Sequence, residues 1–170
     1  VNDRVLYIGS LSKTISAGLR MGYVVGPAKL ISELRALRRL MLRHPAANNQ
    51  HSMALFLSRG YYESLVKNLH RTYQDRFQIM SEELSNIMPV SVATTAFGGS
   101  SFWIEGPKTL DARVLALEAK KIGIIIEPGD LHFYGPTPPK HFFRLGFSAI
   151  KTEHIRPGIK LLADLITQLT

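Results

Sequence analysis

The sequence predicts an α/β or α+β fold in which helices cover one face of a mixed sheet. Short apolar runs bounded by glycine, at residues 5–9 and 23–26, are typical of buried strands. Apolar residues three and four positions apart, from Tyr61 to Met88, indicate one long amphipathic helix. Because both patterns recur in alternation along the chain, layers of helix and sheet are expected rather than a helical bundle.

The composition predicts a globular protein with a buried core and without disulfides, a structural metal or a membrane span. The chain has 170 residues, and 45% of them are hydrophobic, which is enough to bury a core. It has no cysteine, and its six histidines show no close ligand spacing, so neither a disulfide nor a structural metal is expected. No apolar run is long enough for a membrane span and no signal peptide is evident. A cytoplasmic protein without membrane contact is expected.

Helix and strand signals can be placed in order. Pro27 suits the start of a helix that ends at His44-Pro45, and residues 48–57 predict a second helix before the long one. After Pro89 the apolar period changes, and strands are predicted at residues 90–92, 101–105, 124–126 and 142–147. Two further helices are predicted, at 111–122 with Thr109 or Asp111 near its start, and after Thr152 as the cap.

The formal net charge is +8, and part of it is concentrated in one predicted helix. Arg35, Arg38, Arg39 and Arg43 follow the first apolar segments, without an accompanying nucleic-acid-binding motif. A solvated basic helix face is the favoured interpretation, because helix surfaces commonly carry such charge. Contact with an acidic partner surface or with nucleic acid remains the alternative.

A single lysine lies between small hydroxyl residues in the connection between the first two predicted strands. Lys13 stands close to Ser10 and Ser12, and Arg20 follows after small residues. A lysine held against buried strands is partly desolvated, and its free amine can then attack a carbonyl carbon. The forked guanidinium of an arginine suits a phosphate. A carbonyl compound that carries a phosphate satisfies all these groups, and pyridoxal 5'-phosphate (PLP) is such a compound.

The same residues resemble a known family. Ser10-Leu-Ser-Lys13, followed by Gly18-Leu-Arg-Met-Gly-Tyr23, resembles the active-site lysine segment of fold-type I PLP-dependent aminotransferases. Phe97-Gly-Gly99, Glu127-Pro-Gly129 and Phe143-Arg-Leu-Gly-Phe147 follow in family order. Two further segments most resemble the aminotransferase-like domain of MocR/GntR-type transcriptional regulators. They are Arg144-Leu-Gly-Phe-Ser148 and Ile155-Arg-Pro-Gly-Ile159.

The resemblance implies roles for individual residues. Lys13 would hold PLP as an internal aldimine, and Ser10, Ser12 and Arg20 would bind the cofactor. Arg144 would receive the carboxylate of an amino-acid-like ligand, which agrees with the way a guanidinium pairs with a carboxylate. A structural ion pair of Arg144 with Glu127 or Asp130 is the alternative.

The resemblance also implies an organisation. Residues 1–60 would be the tail of the PLP-binding large domain, and residues 61–170 the complete small C-terminal domain. The family's acidic, aromatic, asparagine and tyrosine cofactor contacts precede the lysine, so the segment alone is expected to be inactive. The whole protein would be a homodimer that contacts DNA only through a separate N-terminal module.

Three other functions remain open, one of them a non-catalytic domain whose role is dimerisation. The parent protein could be a class I/II aminotransferase that transfers an amino group between an amino acid and a 2-oxo acid, since Lys13 serves both roles. Ser10-x-x-Lys13 also matches a motif of penicillin-binding proteins, but Ser64-x-x-Lys67 matches equally well and the companion motifs are missing. His132 follows Glu127-Pro-Gly129 closely, but a lone histidine is more often structural than part of a site.

Overall fold

A computed structural model of the chain describes residues 4–87, 91–92 and 99–170. These residues form two compact units, Val1–Leu69 and His70–Thr170. The assignment of domains made from the sequence, 1–60 and 61–170, stays a prediction. No helix among the described residues is long and apolar enough to cross a membrane, and no cluster of His, Asp or Glu in the same residues is arranged to hold a metal ion.

The first unit is a hairpin followed by helices. Strands β1 (Tyr7–Ser10) and β2 (Gly22–Val25) pair antiparallel, and helices α1 (Ala28–Leu42) and α2 (Ala47–Ser58) follow. Helix α3 (Tyr61–Ile87) starts in this unit and continues into the second. The three helices confirm the predictions made from periodicity, although residue 88, the predicted end of α3, lies outside the described residues.

The two strands of the first unit are exposed, whereas the sequence predicted buried strands. Ile8 is 76% exposed and Val25 is 45% exposed. The described part of this unit forms a sheet of two strands only, so these strands have no inner position in a larger sheet to occupy. The prediction of burial was therefore wrong for this chain, although the prediction of two strands around the lysine was right.

The second unit is a four-stranded sheet with helices on one face. Its strands are β3 (Ser91–Val92), β4 (Ser101–Glu105), β5 (Glu127–Pro128) and β6 (Phe142–Gly146), in the order β3-β4-β6-β5. All described pairs are antiparallel, which corrects the predicted mixed sheet. Residue 90 of the first predicted strand, and Phe97 and Gly98 of the Phe97-Gly-Gly99 segment, lie outside the described residues.

The core lies between one face of this sheet and three helices. Phe102 and Ile104 of β4 are buried opposite Leu145 and Phe143 of β6. Helices α4 (Ala112–Lys121) and α5 (Thr152–Leu169) complete the core together with α3. Apolar residues at helical spacing on α5 face this core, among them Ile155, Ile159, Leu162 and Ile166, which are buried. Trp103, between Phe102 and Ile104, is only half-buried and belongs to the other face.

Two further sequence predictions in this unit were wrong. Residues 124–126 do not form a strand, because the N–H of Ile124 still bonds to the Ala119 carbonyl at the end of α4 (2.9 Å) and pairing with β6 begins only at Glu127. Ile125 is accordingly 84% exposed. Thr152 is the first residue of α5 rather than its cap; Lys151 holds the cap position without a side-chain hydrogen bond.

Asp111 is the N-cap residue of helix α4. It is one of the two residues, Thr109 and Asp111, that the sequence predicted near the start of this helix. Its Oδ1 accepts a hydrogen bond from the N–H of Arg113 at 2.9 Å. Burial opposes the charge of Asp111, but the backbone N–H groups of Arg113 and Val114, helped by Lys140, outweigh it and hold the pKa of the carboxyl below its usual range. The stabilisation by this charge is therefore present above the unfolded pKa and lost as the pH falls through the folded pKa.

We expect Asp111→Ala to lower the free energy of unfolding of the second unit by about 1 kcal/mol at neutral pH. The difference from wild type should shrink on acidification, because the wild-type carboxyl then becomes protonated. Urea unfolding at several pH values measures both effects. Thr109→Ala is the control; an equal loss in that variant would mean that Asp111 is not the cap that matters.

Candidate functional site

The lysine loop, residues 11–21, connects β1 to β2 and is closed at its base. The N–H of Leu11 donates to the carbonyl of Met21 at 3.0 Å, which continues the strand pairing by one step. Within the loop the N–H of Ile15 donates to the Leu11 carbonyl at 2.9 Å. This bond closes a turn over residues 12–15 that presents Lys13. Lys13 therefore lies on a short hydrogen-bonded turn rather than on a slack connection.

Serine side chains hold the loop backbone. Ser10 Oγ accepts a hydrogen bond from the N–H of Ser12 at 3.3 Å, and Ser16 Oγ accepts one from the N–H of Gly18 at the same distance. Ser16 caps a short 3-10 turn, Ala17–Leu19. A serine hydroxyl that accepts one bond still has its own proton to donate. Ser10 and Ser12 thus keep hydroxyl donors beside Lys13, while the bond made by Ser16 serves the turn.

Arg20 occupies a backbone conformation that is unusual for its residue type. Its φ and ψ are 49° and 42°, in the left-handed region, which costs a non-glycine residue about 1 kcal/mol or more. The preceding residue is anchored from outside the loop, because Asn49 Nδ2 in α2 donates to the Leu19 carbonyl at 3.3 Å. Sequence reasoning missed Asn49, since nothing local to the loop signals a contact thirty residues away.

The charge of the lysine loop is not balanced by acidic residues. No Asp or Glu occurs from residue 4 to residue 32, and within the described part of the chain neither Lys13 nor Arg20 forms an ion pair. Both residues are exposed. The partial desolvation expected of Lys13 is therefore not found, because the strands that were to shield it are themselves exposed.

The donor set of the loop fits PLP. It combines one primary amine, two serine hydroxyls and one guanidinium, without a carboxylate to compete for the cations. An amine can react with an aldehyde carbon, whereas hydroxyls and a guanidinium bind phosphate oxygens. The residues Lys13, Ser10, Ser12 and Arg20 lie together on one short segment of the first unit.

Arg144 belongs to the second unit, at the centre of β6. In the sheet register its neighbours are Trp103 on β4 and Glu127 on β5. Its guanidinium forms an ion pair with the Glu127 carboxylate through Nη2. Of the two alternative partners considered from the sequence, Glu127 is therefore the one observed; Asp130 instead accepts a hydrogen bond from Arg113 Nε at 2.6 Å.

Glu127 contacts a second side chain as well. His132 Nε2 lies 3.3 Å from Glu127 Oε1, and the His132 ring meets the Trp103 ring edge-on at 5.5 Å between centroids. Gly129 makes room for this arrangement, since a Cβ there would lie 2.6 Å from the Trp103 ring and 2.8 Å from the Phe142 carbonyl oxygen. His132 and Arg144 thus share the Glu127 carboxylate as a partner.

A family model described as "Aminotransferase class I and II" matches residues 1–161. The chain belongs to this family. Its recognition from the lysine segment is thereby confirmed, and so is the fold class, a portion of the α/β fold-type I transferase fold.

Relatives within the aminotransferase family include regulators and enzymes. The chain is 39% identical over 160 residues to the HTH-type transcriptional regulator TauR of Rhodobacter capsulatus, covering 94% of this chain and 33% of that protein. It superposes on the kynurenine aminotransferase of Pyrococcus horikoshii, solved with PMP, with a TM-score of 0.85 and 27% identity over 98% of this chain and 41% of that one. LysN of Thermus thermophilus, an α-aminoadipate aminotransferase, superposes with a TM-score of 0.85 and 26% identity over 97% of this chain and 42% of that one.

The chain spans from a third to about two-fifths of the length of these relatives. It is an aminotransferase-like domain portion with both regulator and aminotransferase relatives. The LysN structure carries N-(5'-phosphopyridoxyl)-L-leucine, so PLP chemistry is documented among its structural neighbours.

Proposed function

We propose that the chain is the C-terminal segment of the PLP-binding effector domain of a MocR/GntR-type transcriptional regulator that senses an amino compound. The observation that carries the proposal is the lysine loop, where Lys13 and Arg20 have no acidic partner among the described residues and lie beside serine hydroxyls. The 39% identity to an HTH-type regulator supports the regulatory assignment. The homodimer, the separate DNA-binding module and the cytoplasmic location expected from the sequence belong to the same proposal.

Each residue of the site has a distinct task in this proposal. Bound PLP supplies an electrophilic aldehyde carbon and a ring that withdraws electrons. Lys13 Nζ provides the nucleophile that attaches the cofactor, and Ser10, Ser12 and Arg20 bind its phosphate. Arg144, in the second unit, is proposed to bind the acid group of an amino-acid-like ligand. The amine of Lys13 would hold the cofactor, whose aldehyde would supply the chemistry by which an amino ligand is sensed.

The alternative is a class I/II aminotransferase that transfers an amino group from an amino acid to a 2-oxo acid. It is favoured by the solved aminotransferases on which nearly the whole chain superposes. Both functions use the same five side chains, so the distinction lies in the fate of the ligand. Incubation of the PLP-loaded full-length protein with an amino acid and a 2-oxo acid distinguishes them, since only the enzyme produces the exchanged pair.

The test of the proposal is to trap the cofactor. We expect PLP added to the full-length protein, followed by borohydride reduction, to leave a phosphopyridoxyl group on the peptide that contains Lys13. The exposed Lys29 on α1 is the internal control, because it lies outside the lysine loop. Peptide mass mapping gives the position. A protein in which Lys13 is unmodified, or no more modified than Lys29, would overturn the PLP assignment.

A further inference from the structure

Arg144 lies in a row of side chains that crosses the sheet on the face opposite the core. Trp103, Arg144 and Glu127 are register partners on β4, β6 and β5, and register partners on adjacent strands point to the same face. The flanking residues Phe143 and Leu145 point to the buried face. Arg144 therefore has a residue with an aromatic ring as its neighbour on one strand and a carboxylate, with which its guanidinium pairs, on the other.

Glu127 stands between two donors. A carboxylate only accepts hydrogen bonds, so Arg144 donates to Oε2 and His132 Nε2 must donate to Oε1 across 3.3 Å. The side chains of Glu127, Arg144 and His132 are 43%, 48% and 48% exposed. Side chains of this exposure can change rotamer without repacking a core. Glu127 can thus leave Arg144 and keep a donor, because His132 already lies beside it.

We infer that Glu127 is a specificity-determining residue of the Arg144 site: an internal carboxylate that the ligand's acid group must displace, with His132 as its alternative donor. The inference rests on the role of Arg144 in the proposed function. The reason is that Glu127 and a ligand carboxylate would compete for the same guanidinium. Glu127 occupies an edge of the Arg144 guanidinium that a ligand carboxylate needs for bidentate pairing. Glu127 therefore lowers the affinity for acid ligands, and His132 limits that loss by holding Glu127 once it is displaced.

The experiment is an acetate titration of the 170-residue chain, read through tryptophan fluorescence. Trp103 is the only tryptophan in the sequence, and its ring contacts His132, so it reports on rearrangement beside Arg144. Sodium fluoride at matched ionic strength provides the baseline. We expect Glu127→Gln to raise the affinity for acetate about threefold, the scale of an exposed ion pair.

Glu118→Gln is the matched control. Glu118 is also partly exposed and paired, with Lys121 on α4, so its substitution makes the same change in net charge away from Arg144. Glu127→Asp keeps the negative charge and should stay near the wild-type affinity. His132→Phe keeps a ring against Trp103 and should lower the acetate affinity about twofold in the wild-type background, but leave it unchanged in the Glu127→Gln background.

The outcomes separate the inference from the function on which it rests. An Arg144→Gln variant that still binds acetate would remove Arg144 from the site and overturn its role in the proposed function. If Arg144→Gln abolishes acetate binding while Glu127→Gln behaves like Glu118→Gln, the role of Arg144 stands and the inference is wrong. A lower affinity in Glu127→Gln would also overturn it, because Glu127 would then support Arg144 rather than compete with the ligand.

Discussion

Replacing Lys13 by arginine is expected to abolish the covalent PLP adduct completely while PLP binding without a covalent bond remains measurable. Arginine keeps the positive charge of the lysine loop, and Ser10, Ser12 and Arg20 are unchanged. A guanidinium stays protonated at all accessible pH values and offers no free amine to attack an aldehyde. The variant therefore separates electrostatic attraction of the phosphate from the chemistry of the amine.

The measurement is made on the PLP-loaded full-length protein. Borohydride reduction and peptide mapping give the covalent adduct, and equilibrium dialysis with PLP gives the binding that remains. Lys29→Arg is the matched control, since it makes the same substitution on the exposed surface of α1 and should leave the adduct intact. A normal yield of adduct in the Lys13→Arg protein would show that another lysine attaches the cofactor, and the assignment of the loop would fail.

Family membership was predictable from the sequence of the lysine loop, but the surroundings of the loop were not. The segment around Ser10, Lys13 and Arg20 resembled the active-site lysine segment of the family, and the family model confirms that membership. The contact from Asn49 to the Leu19 carbonyl was not predictable, since it depends on where a separate helix is placed. The exposure of Lys13 was not predictable for the same reason, because burial depends on elements remote in the chain.

The partner of Arg144 shows the same limit within a sheet. Both Glu127 and Asp130 are close to β5 in sequence, and sequence alone left the choice between them open. The register decides it, because Glu127 is placed directly across from Arg144. Asp130 is buried and bonds to Arg113 instead. Register is a property of two strands together, which is why a pattern read along one strand did not reveal it.

Helices were predicted more accurately than strands in this chain. The apolar residues of α3 and of α5 recur at helical spacing over many residues, so one misplaced position does not change the assignment of a helix. Residues 124–126 formed an apolar run of three residues, too short for its period to distinguish a strand from a loop. The N–H of Ile124 bonds to a carbonyl at the end of α4. Pairing with β6 therefore begins only at Glu127.

The substitution with the largest expected effect on stability is Phe143→Ala, which should lower the free energy of unfolding of the second unit by about 3–5 kcal/mol. Phe143 is fully buried and lies opposite Ile104 in the register of the central strands. Its removal leaves a cavity between the sheet and helices that are already packed around other buried side chains. Urea unfolding followed through Trp103 fluorescence reports on this unit, because the chain has no other tryptophan.

Phe142→Ala is the control for the location of the core. Phe142 precedes Phe143 on the same strand but is only half-buried, on the opposite face, where its ring stacks at 5.9 Å from that of Trp103. The same atoms are removed in both variants, so the difference between them measures which face of β6 is closed to water. We expect Phe142→Ala to cost less than half as much. A larger loss for Phe142 would place the core on the face that carries Arg144, and the ligand site proposed there could not be open.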